Sequence, residues 1–131
     1  MSVAIVIASR HGSTREIGEE IAGSLRHHGI GSTLYDASDE VNLSGRTGVI
    51  VGSAVYLGKW MKEARAFIHD HHQQLQELPV WLFSSGPIGD RAATRSLDQP
   101  MINELTKQSG AIGHTVSWAN LIPVSSVDRN V

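Results

Sequence analysis

Cysteine is missing altogether from the 131 residues, which removes disulfides, thiolate metal sites and a cysteine nucleophile from any account of the chain. Redox chemistry here would need a bound cofactor. An excess of one charge is missing too. Thirteen acidic and eleven basic residues leave a formal charge of −2, and the Lys and Arg residues are scattered rather than striped. Nucleic acid is therefore not an expected partner. Long apolar runs are also absent. Val3 to Ala8 is much too short for a membrane span or a signal core, so the expectation is a soluble cytoplasmic protein without a membrane span. Neither G-x-G-x-x-G nor a phosphate loop ending in Gly-Lys-Ser/Thr occurs, which counts against the dinucleotide and nucleoside triphosphate classes.

What remains is an ordinary globular composition, 40% apolar and 18% charged, with no biased tract that suggests disorder. A chain of this length buries about two-thirds of its extended surface on folding. One domain over residues 1–131, with one core, is the expectation.

The β-branched run Val3-Ala4-Ile5-Val6-Ile7-Ala8 suits a strand buried on both faces, as in a parallel sheet covered by helices. Ile17, Ile21, Ala22 and Leu25 then recur at helical spacing opposite Glu16, Glu19, Glu20 and Arg26, and Gly29 supplies a stop. Ser32 to Tyr35 is a second strand candidate, followed by a polar stretch through Asp36, Asp39 and Glu40 that is short for a helix. Gly48 to Gly52 reads as a third strand. Ala64, Phe67, Ile68, His71 and Leu75 mark a helix face closed by Pro79, and Val80 to Phe83 is a fourth strand. Asp98 to Gln108 reads as a helix with Pro100 in its first turn, where a missing amide costs little. Ala111 to Trp118 is a fifth strand.

Strands alternating with helices indicate βαβ units and a parallel sheet. Five strands of this kind are compatible with a doubly wound α/β sheet of order 2-1-3-4-5. After Trp118 a full closing helix is not expected. The sheet face beside the last strands is then expected to be bare and to need a homodimer or another chain.

In such a sheet, ligands sit outside the carboxyl ends of the strands where the strand order reverses, and three informative loops fall there. In Ser9-Arg10-His11-Gly12-Ser13-Thr14, hydroxyls and backbone amides can converge on a phosphate at a helix N-terminus. Equally, Ser and Thr cap helices without any ligand. In Ser53-Ala54-Val55-Tyr56-Leu57-Gly58-Lys59-Trp60, Tyr56 and Trp60 can stack on a planar heterocycle, or either can simply cover the edge of the core. In Ser84-Ser85-Gly86-Pro87-Ile88-Gly89-Asp90, tight turns can present amides to the polar edge of a ring, with Asp90 read as a cap.

At these residues the chain resembles the flavodoxin family. That family's phosphate loop runs roughly Thr/Ser-x-Thr-Gly-x-Thr, and residues 9–14 match it except that His11 stands where a hydroxyl residue is usual. An imidazole can donate in its place. The stretches 52–60 and 81–90 are more similar to the flavodoxin-domain branch that includes oxygen-independent protoporphyrinogen oxidase. The resemblance spans Val3 to about Trp118. It implies a non-covalently bound flavin mononucleotide (FMN), with residues 9–14 on the phosphate and residues 53–60 and 84–90 around the ring. The implied activity is an FMN-dependent oxidoreductase or an electron-transfer protein, acting on a small-molecule substrate or a redox partner. Members of the family usually continue into a last helix.

His69, His71 and His72 invite a metal reading, but on a helix they point to different faces and none is paired at i, i+4, so a surface role is favoured and no metal is expected. His27 and His28 suit the negative end of a helix dipole. No Ser, His and acid set can be assembled, and no general base is assigned. The chemistry would be the flavin's, tuned by charge near its ring. Electron-carrying members of the family are strongly acidic, whereas Arg10, Arg15, Lys59, Lys62 and Arg65 fall close to the expected site here, which implies a less negative potential. The rival expectation is a flavin-free interaction domain that kept the fold and lost the cofactor.

Overall fold

The computed structural model describes residues 1–9, 12–86 and 97–118, without the side chains of Ser13, Ser117 and Trp118. Its first strand, β1 (Ser2–Ala8), is buried from Ala4 onward. Ala4, Val6 and Ala8 enter one apolar layer, and Ile5 and Ile7 enter the other. The absence of polar alternation in this run thus reflects a strand covered on both faces. Helix α1 (Ser13–His27) lays Ile17, Ile21 and Leu25 on the Ile5 and Ile7 face. It ends where Gly29 takes a φ of 76° and the Ile30 amide returns to the Leu25 carbonyl.

β2 (Gly31–Asp36) and β3 (Gly48–Tyr56) flank β1 in parallel register. The polar stretch between them forms turns, from which Val41 and Leu43 enter the core. β3 then turns back on itself: β4 (Lys59–Trp60) pairs antiparallel with its end, Val55 against Trp60 and Tyr56 against Lys59. α2 (Lys62–Asp70) and the short α3 (His72–Leu75) follow, then β5 (Val80–Gly86), α4 (Gln99–Ser109) and β6 (Gly113–Trp118). α2 and α4 cover the second face, where Ala64, Phe67, Ile68, Ile102 and Leu105 meet Val49, Val51, Val80 and Leu82.

The sheet runs β2-β1-β3-β5-β6, with β4 attached to β3. With the two-residue β4 set aside, the five longer strands follow the doubly wound order expected from the sequence. Most boundaries shift by one or two residues, the last strand beginning at Gly113 rather than Ala111, and three differences are larger. β3 runs past Gly52 to Tyr56 and β5 past Phe83 to Gly86, because Ser53 and Ala54 continue the ladder opposite Ser84 and Ser85. The apolar face from Ala64 to Leu75 is two helices, broken at His71, although the His71 amide still bonds to the Phe67 carbonyl.

Among the described residues no helix is long and apolar enough to cross a membrane. The expectation about a last helix falls on residues 119–131, outside those described.

Candidate functional site

β1, β3 and β5 are neighbours, with Ala8 opposite Ser53 and Ser53 opposite Ser84. Their carboxyl ends therefore form a row, and the chain reverses its winding between β1 and β3. This is the switch point at which open α/β sheets bind ligands.

Gly12 stands at the junction of β1 and α1 with a φ of 87°, a backbone shape open to glycine and strained for other residues. Its amide donates to Ser9 Oγ at 3.0 Å. The N-cap residue of α1 is Gly12, which has no side chain to cap the first-turn amides. Thr14, one residue into the helix, is fully buried, and its Oγ1 has no hydrogen-bond partner. A buried hydroxyl without a partner costs about 1–3 kcal/mol. Here it sits on the first turn of a 15-residue helix whose dipole favours an anion. Arg10 and His11 lie outside the described residues.

The second candidate loop is a hairpin with a two-residue turn. Leu57 and Gly58 have φ of 52° and 82°, the positive pair that a tight hairpin requires. A leucine in this conformation is uncommon. Paired residues of a hairpin share a face, so the turn separates the two aromatic candidates. Trp60 joins Val55 in the core at 2% exposure, whereas Tyr56, opposite Lys59, is 57% exposed. Leu57 at the tip is 92% exposed. Ser53 is used within the fold: its Oγ donates to the Ala54 carbonyl and accepts from the Met61 amide. Ala54 is half-buried.

The hairpin is tied to α4. The Asp98 amide donates to the Gly58 carbonyl at 2.7 Å, and Asp98 Oδ1 caps α4 by accepting from the Met101 amide. Asp98 Oδ2 lies 3.8 Å from Lys59 Nζ. Of the other cations expected near the site, Arg15 pairs with Glu19, while Lys62 and Arg65 are exposed on α2.

In the third loop Ser84, Ser85 and Gly86 are buried at the end of β5. Pro87, Ile88, Gly89 and Asp90 lie outside the described residues. Ser84 meets a residue that sequence reasoning passed over. Its Oγ accepts the Trp60 indole N–H at 2.7 Å and lies 2.7 Å from His114 Nε2 on β6. Burial pushes the His114 imidazole below its ordinary pKa. The available signal was one imidazole set between Gly113 and Thr115 in a strand with no other ionisable residue.

The histidines around α2 and α3 are engaged locally. His71 Nδ1–H donates to the Phe67 carbonyl and its ring stacks on Phe67 at 4.5 Å, while His72 Nδ1–H donates to the His69 carbonyl. Among the described residues no group of three or more His, Asp or Glu could hold a metal ion.

A family model described as a flavodoxin domain matches residues 4–115. No curated protein matches the chain. Similar solved structures include a short-chain flavodoxin associated with a non-canonical PDU bacterial microcompartment. It is 15% identical with a TM-score of 0.72, over 98% of this chain and 93% of that one. A cysteine mutant of flavodoxin from Pseudomonas aeruginosa is 16% identical with the same TM-score and the same coverage of both chains. Oxidised Flavodoxin 2 from Bacillus cereus is 23% identical with a TM-score of 0.67, over 99% of this chain and 94% of that one. At these identities the structures speak for the fold.

Proposed function

The chain belongs to the flavodoxin-domain family, and on that premise we propose that it is a redox protein holding FMN non-covalently at the carboxyl ends of β1, β3 and β5. The observation that carries the reading is Thr14 Oγ1, a fully buried hydroxyl without a partner on the first turn of a helix whose N-cap is a glycine. A terminal phosphate gives that hydroxyl and the first-turn amides one common acceptor. Gly12 supplies the turn between strand and helix, and Ser9 holds that turn from the strand end.

Bound FMN would supply reversible electron transfer at its ring. Tyr56, 57% exposed on this edge, is an aromatic side chain on which the ring can stack. Trp60 is enclosed and holds the hairpin from below. The backbone at Ser84–Gly86 borders the other side. Lys59 and Arg15 each have an acidic neighbour, so the positive field at the ring is weaker than a count of cations suggests. The direction remains a potential less negative than that of strongly acidic carriers.

Within this reading, the resemblance of residues 52–60 and 81–90 to the protoporphyrinogen-oxidase branch favours an oxidoreductase that passes electrons to a quinone, and electron transfer to a protein partner stands beside it. His11, in place of a hydroxyl residue, favours a second reading in which the fold serves as a flavin-free interaction domain. Titration of the purified protein with FMN, followed by flavin fluorescence, separates the two. Saturable quenching supports the first reading, and fluorescence unchanged by excess protein supports the second.

A further inference from the structure

Trp60 on β4, Ser84 on β5 and His114 on β6 form a hydrogen-bonded chain across three strands, directly below the two strand ends assigned to the ring. An indole N–H can only donate, so Ser84 Oγ is the acceptor toward Trp60. Its single hydrogen is then available to His114, and with Nε2 unprotonated the bond runs from Ser84 to the ring. The imidazole in this arrangement is neutral, with its proton on Nδ1. Trp60 and Ser84 are 2% and 0% exposed, so water does not replace either partner.

The two residues that His114 joins belong to different parts of the site. Ser84 begins the Ser84–Gly86 segment, and Trp60 closes the hairpin that carries Tyr56 and, at its tip, Leu57. We propose that His114 is a positioning residue for FMN: neutral, it orients the Ser84 hydroxyl and through it registers the hairpin against the end of β5, and protonated at Nε2 it releases both. This inference rests on the FMN reading of the site. The protonated ring would bring a second donor to Ser84 Oγ and leave the serine hydrogen without its acceptor in a buried place, which the fold can relieve only by moving the strand ends.

Among the described residues, the charged side chains near this titration lie off β5 and β6. β5 carries no ionisable residue, and on β6 His114 is the only one. On the elements packed over this face, Lys59, Lys62, Arg65, Asp70, Glu104 and Lys107 are exposed, and Asp98 pairs with Lys59. Glu63 is half-buried with Oε2 unpartnered. His69 and His72 are exposed, and His71 is stacked on Phe67. Burial lowers the pKa of His114.

The test is the FMN affinity of the full chain and of His114→Gln, read by flavin fluorescence from about pH 8 to about pH 5. Glutamine Oε1 can accept from Ser84 as Nε2 does, but it takes up no proton. The FMN phosphate itself titrates near pH 6, so the informative quantity is the ratio of the two affinities at each pH, from which the ligand's titration cancels. The expected ratio is close to one at the alkaline end. As pH drops through the folded-state pKa of His114, which lies below the ordinary histidine value, the ratio falls against the unmodified chain, by at most about tenfold per pH unit for one proton. A ratio constant over the range overturns the proposal.

If His114→Gln does not fold, the Trp60 indole N–H resonance of the unmodified, FMN-free protein decides. Movement along the titration curve of the His114 ring supports the network, and indifference to it overturns the network. The same resonance separates the two readings. A chain that binds no FMN at any pH contradicts the function proposed above, and Trp60 then tests the coupling by itself.

Discussion

The ring of Phe83 on β5 lies across the backbone of Gly52 on β3: a Cβ built on Gly52 would come within 2.0 Å of Phe83 Cζ. Trp81 uses Gly113 on β6 in the same way, with a closest approach of 2.6 Å, and its indole N–H reaches Thr115 Oγ1. Both large rings thus lie flat over glycines of adjoining strands on the face that α1 shares. Gly52→Ala should therefore displace Phe83 and destabilise the fold by about 1–3 kcal/mol, read as a lower urea midpoint. An unchanged midpoint would mean that the ring has another place to go.

His114 links stability to acidity. Because its folded-state pKa is lowered, the unfolded chain binds the extra proton first as pH falls. The contribution of His114 to stability is complete above the ordinary histidine value of about 6.5, declines below it, and levels off once the folded-state pKa is passed. The difference in urea midpoint between the unmodified chain and His114→Gln should slope in that window and be flat above it. A slope of the opposite sign, or one confined to alkaline pH, contradicts the assignment.

Leu57 holds a left-handed backbone without being glycine. Such strain costs about 1–2 kcal/mol, and asparagine tolerates the conformation better. Leu57→Asn is expected to raise stability by about 0.5–1 kcal/mol, since the 92% exposed leucine side chain gives up little packing. A destabilised variant would show that the tip makes contacts beyond its own turn.

Asp98 serves α4 as a cap and Lys59 as an ion partner. Caps contribute about 1 kcal/mol, whereas an exposed pair contributes about 0–1 kcal/mol. Asp98→Ala should thus cost about 1 kcal/mol and Asp98→Asn much less, measured by thermal or urea unfolding. Equal losses would transfer the weight to the ion pair.

The parts of the fold that could be read from the residues are those whose apolar pattern is repeated by burial. β1 reads as a strand because both its faces are covered, and α1 because Ile17, Ile21 and Leu25 recur on one side. The ends of β3 and β5 were opaque: Ser53, Ala54, Ser84 and Ser85 have no strand-like pattern, yet they pair across the sheet. Tyr56 and Trp60 looked equivalent as ring partners until the two-residue turn put Trp60 opposite Val55 and into the core. His114 stayed hidden because its partners, Trp60 and Ser84, are 54 and 30 residues away in sequence, and only the sheet order brings them together. Thr14 was legible as a helix-start hydroxyl, but its burial without a partner was not.

That buried hydroxyl carries the functional claim, and it is tested most directly by comparing FMN with riboflavin, which lacks the phosphate, on the unmodified chain and on Thr14→Ala. A hydrogen bond to a charged acceptor is worth about 1.5–3 kcal/mol, so the substitution should weaken FMN binding by about 10- to 100-fold and leave riboflavin binding unchanged. Equal losses for the two ligands, or no loss for FMN, would contradict a phosphate held at the first turn of α1.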